Sequence, residues 1–233
     1  QFAQEAWKKF LAEWRLPELK PDLTAVLNAP RALPAELVGR IHINTKSDST
    51  GESGSFGEMD AKEAIRRFIG RSGSVLSGDS ISLSELSLVT FANEGNFYRA
   101  VFWQANYPFQ IAEGYGELSF VVGKKGELLQ LSSSLLPAAK LPTRAEIKNQ
   151  AIYDKLIGRQ FSYSTIAGQP QSYKVTKREE VKIGELMVYP KLEGKRLEIH
   201  LAFPVTVGNG TNWTVYIDAI NGDELGVKQN FAS

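Results

Sequence analysis

Few side chains in this sequence could perform acid–base, nucleophilic or metal chemistry. The chain contains two histidines and no cysteine, which excludes disulfides, zinc–thiolate sites and thiol nucleophiles. His42 and His200 each stand between two aliphatic residues, so in a strand each would point to the face opposite its apolar neighbours. Neither belongs to a His-Glu-x-x-His helix motif. We expect both to be solvated sheet residues, and we predict no metal site.

The segments rich in glycine, serine or acidic residues do not complete a catalytic motif. Gly70-Arg-Ser-Gly-Ser74 lacks the closing glycine of Gly-x-Ser-x-Gly. Residues 208–213 begin like a dinucleotide-binding fingerprint, but Trp213 stands where that motif requires its last glycine. Glu179-Glu180 adjoins basic residues, which predicts a solvated mixed-charge surface. The sequence therefore predicts no catalytic residue, no cofactor and no enzyme activity.

The composition is that of a globular protein, since 42% of the 233 residues are hydrophobic and 23% are charged. Lysine and arginine number 27 against 26 acidic residues, a net charge of +1, so no basic surplus indicates a nucleic acid partner. No apolar run approaches the roughly 18 residues that span a bilayer, and we predict no membrane span. The chain begins at Gln1 rather than Met, so we expect that a leader has been removed or that the chain is trimmed.

The N-terminal half shows helix patterns followed by strand patterns. Residues 2–14 place their apolar side chains on one helical stripe. Asp60 and Glu63 have the spacing of a capping box, which predicts that a second helix begins there and ends at Gly70. Alternating hydrophobicity and turn residues then predict strands near 81–92, 97–105, 117–123 and 127–134.

The C-terminal half repeats this order. Thr143 and Glu146 form a second capping-box pattern, which predicts a helix that ends at Gly158. Strands are predicted near 172–180, 184–190, 196–203, 212–218 and 224–230.

The two halves also match in their last hairpins. Residues 120–126 correspond to residues 216–222 at an offset of 222 − 126 = 96. A helix followed by an antiparallel meander, occurring twice, predicts an α+β fold of two tandem units with one helix laid on each sheet. We place these units at residues 1–140 and 141–233.

Residues 185–230 closely resemble the PepSY module of thermolysin-type propeptides. The family pattern is Trp-x-Val-x-Ile-Asp-Ala-x-x-Gly-x-x-Leu, and the run from Trp213 to Leu225 fits it at each fixed position. The alternation that follows Trp213 predicts that its side chain faces a core. Asp218 is expected to cap the turn whose positive-φ residue is Gly222.

Residues 30–137 resemble the fungalysin/thermolysin propeptide (FTP) motif, in which a Gln-containing strand leads through a Gly-x-Pro-Val bend into a hairpin. Gln104 and Pro108 stand at the corresponding positions. The bend departs from the family, because the sequence here is Tyr107-Pro-Phe109, without the glycine and with a shorter lead-in from Gln104. The two aromatic side chains either present apolar surface or fill a gap in a core.

The resemblance implies two cystatin-like units in a non-catalytic, exported, propeptide-like bacterial protein, either secreted or held in the periplasm or cell envelope. It implies a secreted zinc metalloprotease as the partner, whose folding such a prodomain assists and whose cleft it blocks. Pairing along a β-strand edge would supply the affinity. Residues 228–233 are the candidate cleft-occupying segment, with a frayed last strand as the alternative. Gln229, Asn230 and Phe231 are its candidate binding residues. Tyr107 and Phe109 are further candidate contacts.

Two other functions stay open at this point. A propeptide-like protein without a protease would be a stand-alone binding or scaffold module of the cell envelope, and the altered bend at Pro108 favours such a divergence. An enzyme with a dispersed site is the third hypothesis. A His-Glu-x-x-His domain encoded downstream would support the first function, whereas a natural stop codon after Ser233 would support the second.

Overall fold

The computed structural model describes residues 2–17, 31–32, 34–44, 56–77, 82–164, 168–194, 196–208 and 212–230. The chain divides into two compact units. The first contains Gln1–Tyr107 and Glu113–Ala139, and the second contains Pro108–Ala112 and Lys140–Ser233. A short segment from the N-terminal half of the sequence thus belongs to the second unit, which the sequence patterns did not predict.

The described part of the chain contains α-helices and β-strands, joined by turns and short 3-10 helices. The helices are α1 (Phe2–Glu13), α2 (Glu58–Ser77) and α3 (Asn149–Leu156). The strands are β1 (Arg31–Ala32), β2 (Leu86–Asn93), β3 (Phe97–Gln104), β4 (Gln110–Ile111), β5 (Glu117–Gly123), β6 (Leu128–Ser133), β7 (Gln160–Ser164), β8 (Pro170–Lys174), β9 (Val181–Ile183), β10 (Met187–Glu193), β11 (Arg196–Val207), β12 (Asn212–Asp218) and β13 (Glu224–Asn230).

Five strands of the first unit form an antiparallel sheet in the order β1-β6-β5-β3-β2. Strand β3 shows the alternation expected of a sheet with one covered face, because Tyr98, Ala100 and Phe102 are buried and the residues between them are more exposed. Strand β2 lies at one end of the sheet order, so it is an edge strand.

Helices α1 and α2 cover the buried face of this sheet. The ring of Phe68 in α2 meets Phe120 of β5 edge to face, with 5.9 Å between the ring centroids. Phe10 of α1 meets Phe68 in the same manner at 6.2 Å. The three side chains belong to one hydrophobic core. Burial of this apolar area is the main stabilising contribution to the unit.

Helix α2 extends beyond Gly70, where the sequence pattern predicts its end. Gly70 does not have a positive φ, and the buried stripe of the helix continues to Leu76, which is 3% exposed. Packing of this last part outweighs the cost of about 1 kcal/mol for a glycine inside a helix. The helix begins at Glu58, so the predicted start at Asp60 is wrong. Asp60 lies in the first turn, where its Oδ2 accepts the backbone N–H of Gly57 at 3.1 Å.

The sheet of the second unit has the order β13-β12-β11-β10-β4, with β9 also paired to β11. Its long strands pair antiparallel, whereas β4 pairs parallel to β10. Ile152 and Leu156 of α3 share a hydrophobic core with Trp213, Val215 and Ile217 of β12. Strands β7 and β8 form a separate two-stranded hairpin, and the sequence patterns did not predict β7.

Helix α3 begins at Asn149 and not at Thr143, so the second predicted capping box is wrong. The backbone N–H groups of Glu146 and Ile147 donate to the carbonyl of Ala219 at 2.8 and 3.2 Å. Because these amides donate to the turn after β12, the residues before Asn149 adopt a non-helical conformation.

The two matching hairpins close through positive-φ glycines. Gly126 between β5 and β6 has φ 85°, and Gly222 between β12 and β13 has φ 78°. The Oδ1 atom of Asp218 accepts the backbone N–H groups of Ile220 and Asn221 at 2.7 and 3.2 Å, as predicted for a capped turn. Helices packed on mainly antiparallel sheets make this an α+β fold, as the sequence predicts.

Candidate functional site

The two histidines lie in different units. His42 is exposed and forms an isolated β-bridge with Glu127, whereas His200 lies half-buried on β11. Within the ranges that the structure describes, no group of three or more His, Asp or Glu side chains could hold a metal ion. The described residues therefore offer no set of side chains that could coordinate a metal ion.

His200 forms a close polar contact with Asp218 on the second sheet. Its Nδ1 lies 2.7 Å from Oδ2 of the buried Asp218, and its Nε2 lies 3.5 Å from Oε2 of Glu198. A hydrolase that uses a His–Asp pair needs a nucleophilic hydroxyl or thiol on Nε2. Here Nε2 makes no hydrogen bond with any described residue, and the carboxylate of Glu198 lies beside it. The Asp218 carboxylate thus both caps its turn and holds the imidazole.

Gln104 closes the end of β3 against the segment that follows β6. Its Nε2 donates to the carbonyl of Leu136 at 2.8 Å, and the backbone N–H of Leu136 donates to its Oε1 at 2.8 Å. Tyr107 continues this closure, because its hydroxyl donates to the carbonyl of Pro137 at 2.5 Å. Burial raises the pKa of Tyr107 to about 12, against a smaller lowering by the backbone of Ala139.

The residues after Tyr107 enter the sheet of the second unit. Pro108 is exposed and Phe109 is half-buried, and the two lead directly into β4. Strand β4 pairs with Met187 and Val188 of β10, and the N–H of Ala112 donates to the carbonyl of Val188 at 2.9 Å. The backbone after the bend is therefore engaged within the chain. Tyr107, whose hydroxyl is also bonded internally, is a poorer candidate contact than the sequence indicates.

Trp213 lies in the hydrophobic core of the second unit. It is 2% exposed and is surrounded by the rings of Phe161, Tyr163 and Tyr173, with centroid distances of 5.0, 5.7 and 5.5 Å. Three aromatic contacts at these distances add to the area that Trp213 buries. The β7–β8 hairpin supplies all three rings, so this hairpin completes the core around the resembling motif.

Gln229 and Asn230 lie at the end of β13, the edge strand of the second sheet. The Nδ2 of Asn230 donates to Oγ1 of Thr214 at 3.0 Å, and both residues are half-buried. On its other side β13 has no described strand as a neighbour. Such an edge can accept an added strand through its backbone groups. Phe231, the third candidate residue of this segment, lies outside the described residues.

The sequence patterns missed a second exposed region, on the first unit. Trp103 of β3 is 58% exposed and directly opposite Ser87 of β2. Leu88 and Val89 of β2 are 38% and 47% exposed. Two sequence signals were present: Trp103 is out of phase with the buried Phe102, and β2 contains no charged residue.

Comparisons with known proteins add a distant structural similarity. No protein-family model and no curated protein sequence matches this chain. The chain is similar to the solved Bacillus megaterium YpeB C-terminal domain at 13% identity and a TM-score of 0.30, over 78% of this chain and 68% of that one. In the described ranges, no helix combines the length and the apolar character that a bilayer crossing requires.

Proposed function

We propose that this chain is a non-catalytic, exported, propeptide-like protein that binds a thermolysin-type zinc metalloprotease, inhibiting it and/or assisting its folding. In this proposal the two units are cystatin-like, and each has a helix packed on an antiparallel sheet. The partner class comes from the sequence resemblance around Gln104 and between Trp213 and Leu225. The motif residues Gln104, Trp213, Asp218 and Gly222 are engaged in the fold itself, so we assign the contact with a partner to other residues.

The observation that carries the proposal is the position of β13. It is an edge strand of the second sheet, and it ends at Asn230. An extended segment next to such an edge can pair with the rim of a protease cleft, with backbone hydrogen bonds supplying affinity. Val227, at 42% exposure, is the large apolar side chain exposed on this strand.

The test is a titration of the chain against a thermolysin-type zinc protease, with hydrolysis of a peptide substrate as the readout. We expect inhibition by the wild type and weaker inhibition by Val227→Lys, because the change removes the exposed apolar side chain of β13 and adds a second charge beside Lys228. Val89→Lys is the matched control, since Val89 is a similarly exposed valine on the edge strand of the other sheet.

Lack of inhibition at concentrations far above that of the enzyme would overturn the inhibitory function. Equal inhibition by both lysine variants and the wild type would overturn the assignment to β13. Near-UV circular dichroism of each variant establishes that the aromatic core around Trp213 is intact.

A stand-alone scaffold of the cell envelope is the second proposed function. It is favoured by the bend at Pro108, which departs from the resembling family and whose continuation is paired internally as β4. A reading frame that ends at Ser233, together with the lack of inhibition described above, would select this function. A reading frame that continues into a His-Glu-x-x-His domain would select the protease partner.

A further inference from the structure

An exposed row of three residues crosses the first sheet at its β2 edge. Ser87 of β2 is directly opposite Trp103 of β3, and Trp103 is directly opposite Glu117 of β5. Directly opposed residues of antiparallel strands share a face, so the three side chains lie side by side. All three are exposed, and Trp103 is 58% exposed. Tryptophan is one of the residue types most enriched among the contacts that contribute most of the binding energy at protein interfaces.

The edge beside this row lacks most of the usual protection against strand addition. Natural edge strands carry lysines, prolines or bulges that discourage pairing with another chain. Strand β2 contains neither charge nor proline over Leu86–Asn93. Within the described part of the chain, its one protective feature is an irregularity between Leu88 and Thr90. The stretch from Leu86 to Leu88 pairs regularly with β3, and it is the part next to Trp103.

The charges around the row are acidic. No described residue forms a salt bridge with Glu117. Glu85, immediately before β2, accepts hydrogen bonds from the backbone of Ser82 and the amide of Asn106, both of which are neutral, so its charge is not cancelled. Arg99, the basic residue of β3, is paired with Glu94 at 2.9 Å. An approaching strand therefore meets negative charge next to an exposed indole.

Strand spacing selects the length of the side chain that fits. A strand added at β2 would lie about 4.8 Å from β2, and β3 lies one further spacing away. A side chain of the added strand must therefore pass over Ser87 to reach the indole of Trp103. Ser87 is small and leaves this path open. Lysine and arginine carry a charged group on a long aliphatic stem. Such a cation gains from the face of Trp103 and from the carboxylate of Glu117 together.

We propose that the β2 edge is a second binding site, specific for an extended segment of another protein that carries an arginine or lysine facing Trp103. The backbone of the segment pairs with β2, and its cation lies over Trp103 between Ser87 and Glu117. This site belongs to the first unit and does not depend on β13 or on the protease partner.

The test uses the full chain and the synthetic peptide acetyl-Thr-Val-Thr-Arg-Thr-Val-Thr-amide, with binding measured by isothermal titration calorimetry. Replacing the peptide arginine by glutamine should lower the affinity about tenfold, and replacing it by glutamate should lower it further. Trp103→Ala and Glu117→Gln should each weaken binding of the arginine peptide. Each should also reduce the difference in affinity between the arginine and glutamine peptides.

Backbone pairing is tested with two N-methylated forms of the arginine peptide. Alternate N–H groups of a strand point to opposite sides, so methylation of one alternating set should abolish binding and methylation of the other set should not. Gln130→Ala, an exposed substitution on β6, is the matched protein control and should bind like the wild type.

Four results would overturn the proposal, and three of them concern the peptides. These are equal affinity for the arginine and glutamine peptides, equal loss with both methylation patterns, and no saturable binding. A fourth is dimerisation of the wild-type chain that Val89→Lys abolishes in sedimentation, because a second copy of the chain would then occupy the β2 edge.

Discussion

The side-chain amide of Gln104 forms two hydrogen bonds of 2.8 Å with the backbone N–H and carbonyl of Leu136. A glutamine amide can donate and accept at once, so it satisfies both groups of one residue as a neighbouring strand would. Leu136 is itself 3% exposed. The Gln104 side chain thus extends the first sheet by one pairing, at the position where the sequence resembles the FTP motif.

Replacing Gln104 by alanine should lower the free energy of unfolding by about 2–3 kcal/mol. The change removes two hydrogen bonds and leaves two backbone groups of a buried residue without their partner. Urea denaturation measures the effect. Gln130→Ala, at an exposed glutamine of β6, is the control and should stay within about 0.5 kcal/mol of the wild type. Equal effects of both substitutions would contradict the role of Gln104.

Two tryptophan substitutions should differ in their effect on stability, because one side chain lies in a core and the other on the surface. Trp213→Ala should cost about 3–5 kcal/mol, since Trp213 is 2% exposed and contacts three aromatic rings. Trp103→Ala removes a side chain that is 58% exposed and should cost far less. Chemical denaturation of the two variants checks this. A near-neutral Trp213→Ala would show that the last hairpin does not face a core.

The two hairpin glycines should differ in their tolerance of alanine. At Gly222 only the positive φ opposes a side chain, and the added Cβ meets nothing closer than Ile147 at 3.7 Å, so Gly222→Ala should cost about 1–2 kcal/mol. At Gly126 the Cβ would also collide with Asn44, which should add about 1–3 kcal/mol. Urea midpoints of the two variants measure the difference. A larger loss for Gly222→Ala would contradict the described packing.

Tyr107 should make the stability of the first unit sensitive to alkaline pH. Burial raises its pKa to about 12 in the folded chain, above the ordinary value of 10. The stabilisation from its neutral form is fully present below pH 10, and it declines as pH rises from 10 to 12, because there the unfolded chain releases the proton more readily. Denaturation midpoints over this range should fall less steeply in Tyr107→Phe. An unchanged slope would show that Tyr107 ionises normally.

Local patterns in the sequence predicted the parts of the fold that depend on local chemistry. The hairpin around Gly222, the cap at Asp218 and the alternation in β3 follow from residues that are neighbours along the chain. The burial of Trp213 was predicted in the same way. The three rings that surround it come from the β7–β8 hairpin. Strand β7 was not predicted, although Phe161 and Tyr163 alternate with polar residues as in a half-buried strand.

The missed features depend on contacts between distant residues. Helix α2 passes Gly70 because Leu76 is buried, and α3 starts late because the amides of Glu146 and Ile147 bond to Ala219. Strand β4 is defined by its pairing with β10, which lies far away in the sequence. The β2 edge was missed for the same reason, since the strand order decides which strand lies at the edge of the sheet.

Amide hydrogen exchange of the chain, alone and with a thermolysin-type zinc protease held inactive by removal of its zinc, tests the proposed mode of action most directly. Contact through the C-terminal sheet edge predicts slower exchange at Glu224–Asn230 on adding the protease, and unchanged exchange at Leu86–Asn93. Unchanged exchange at Glu224–Asn230 with saturating protease would contradict it.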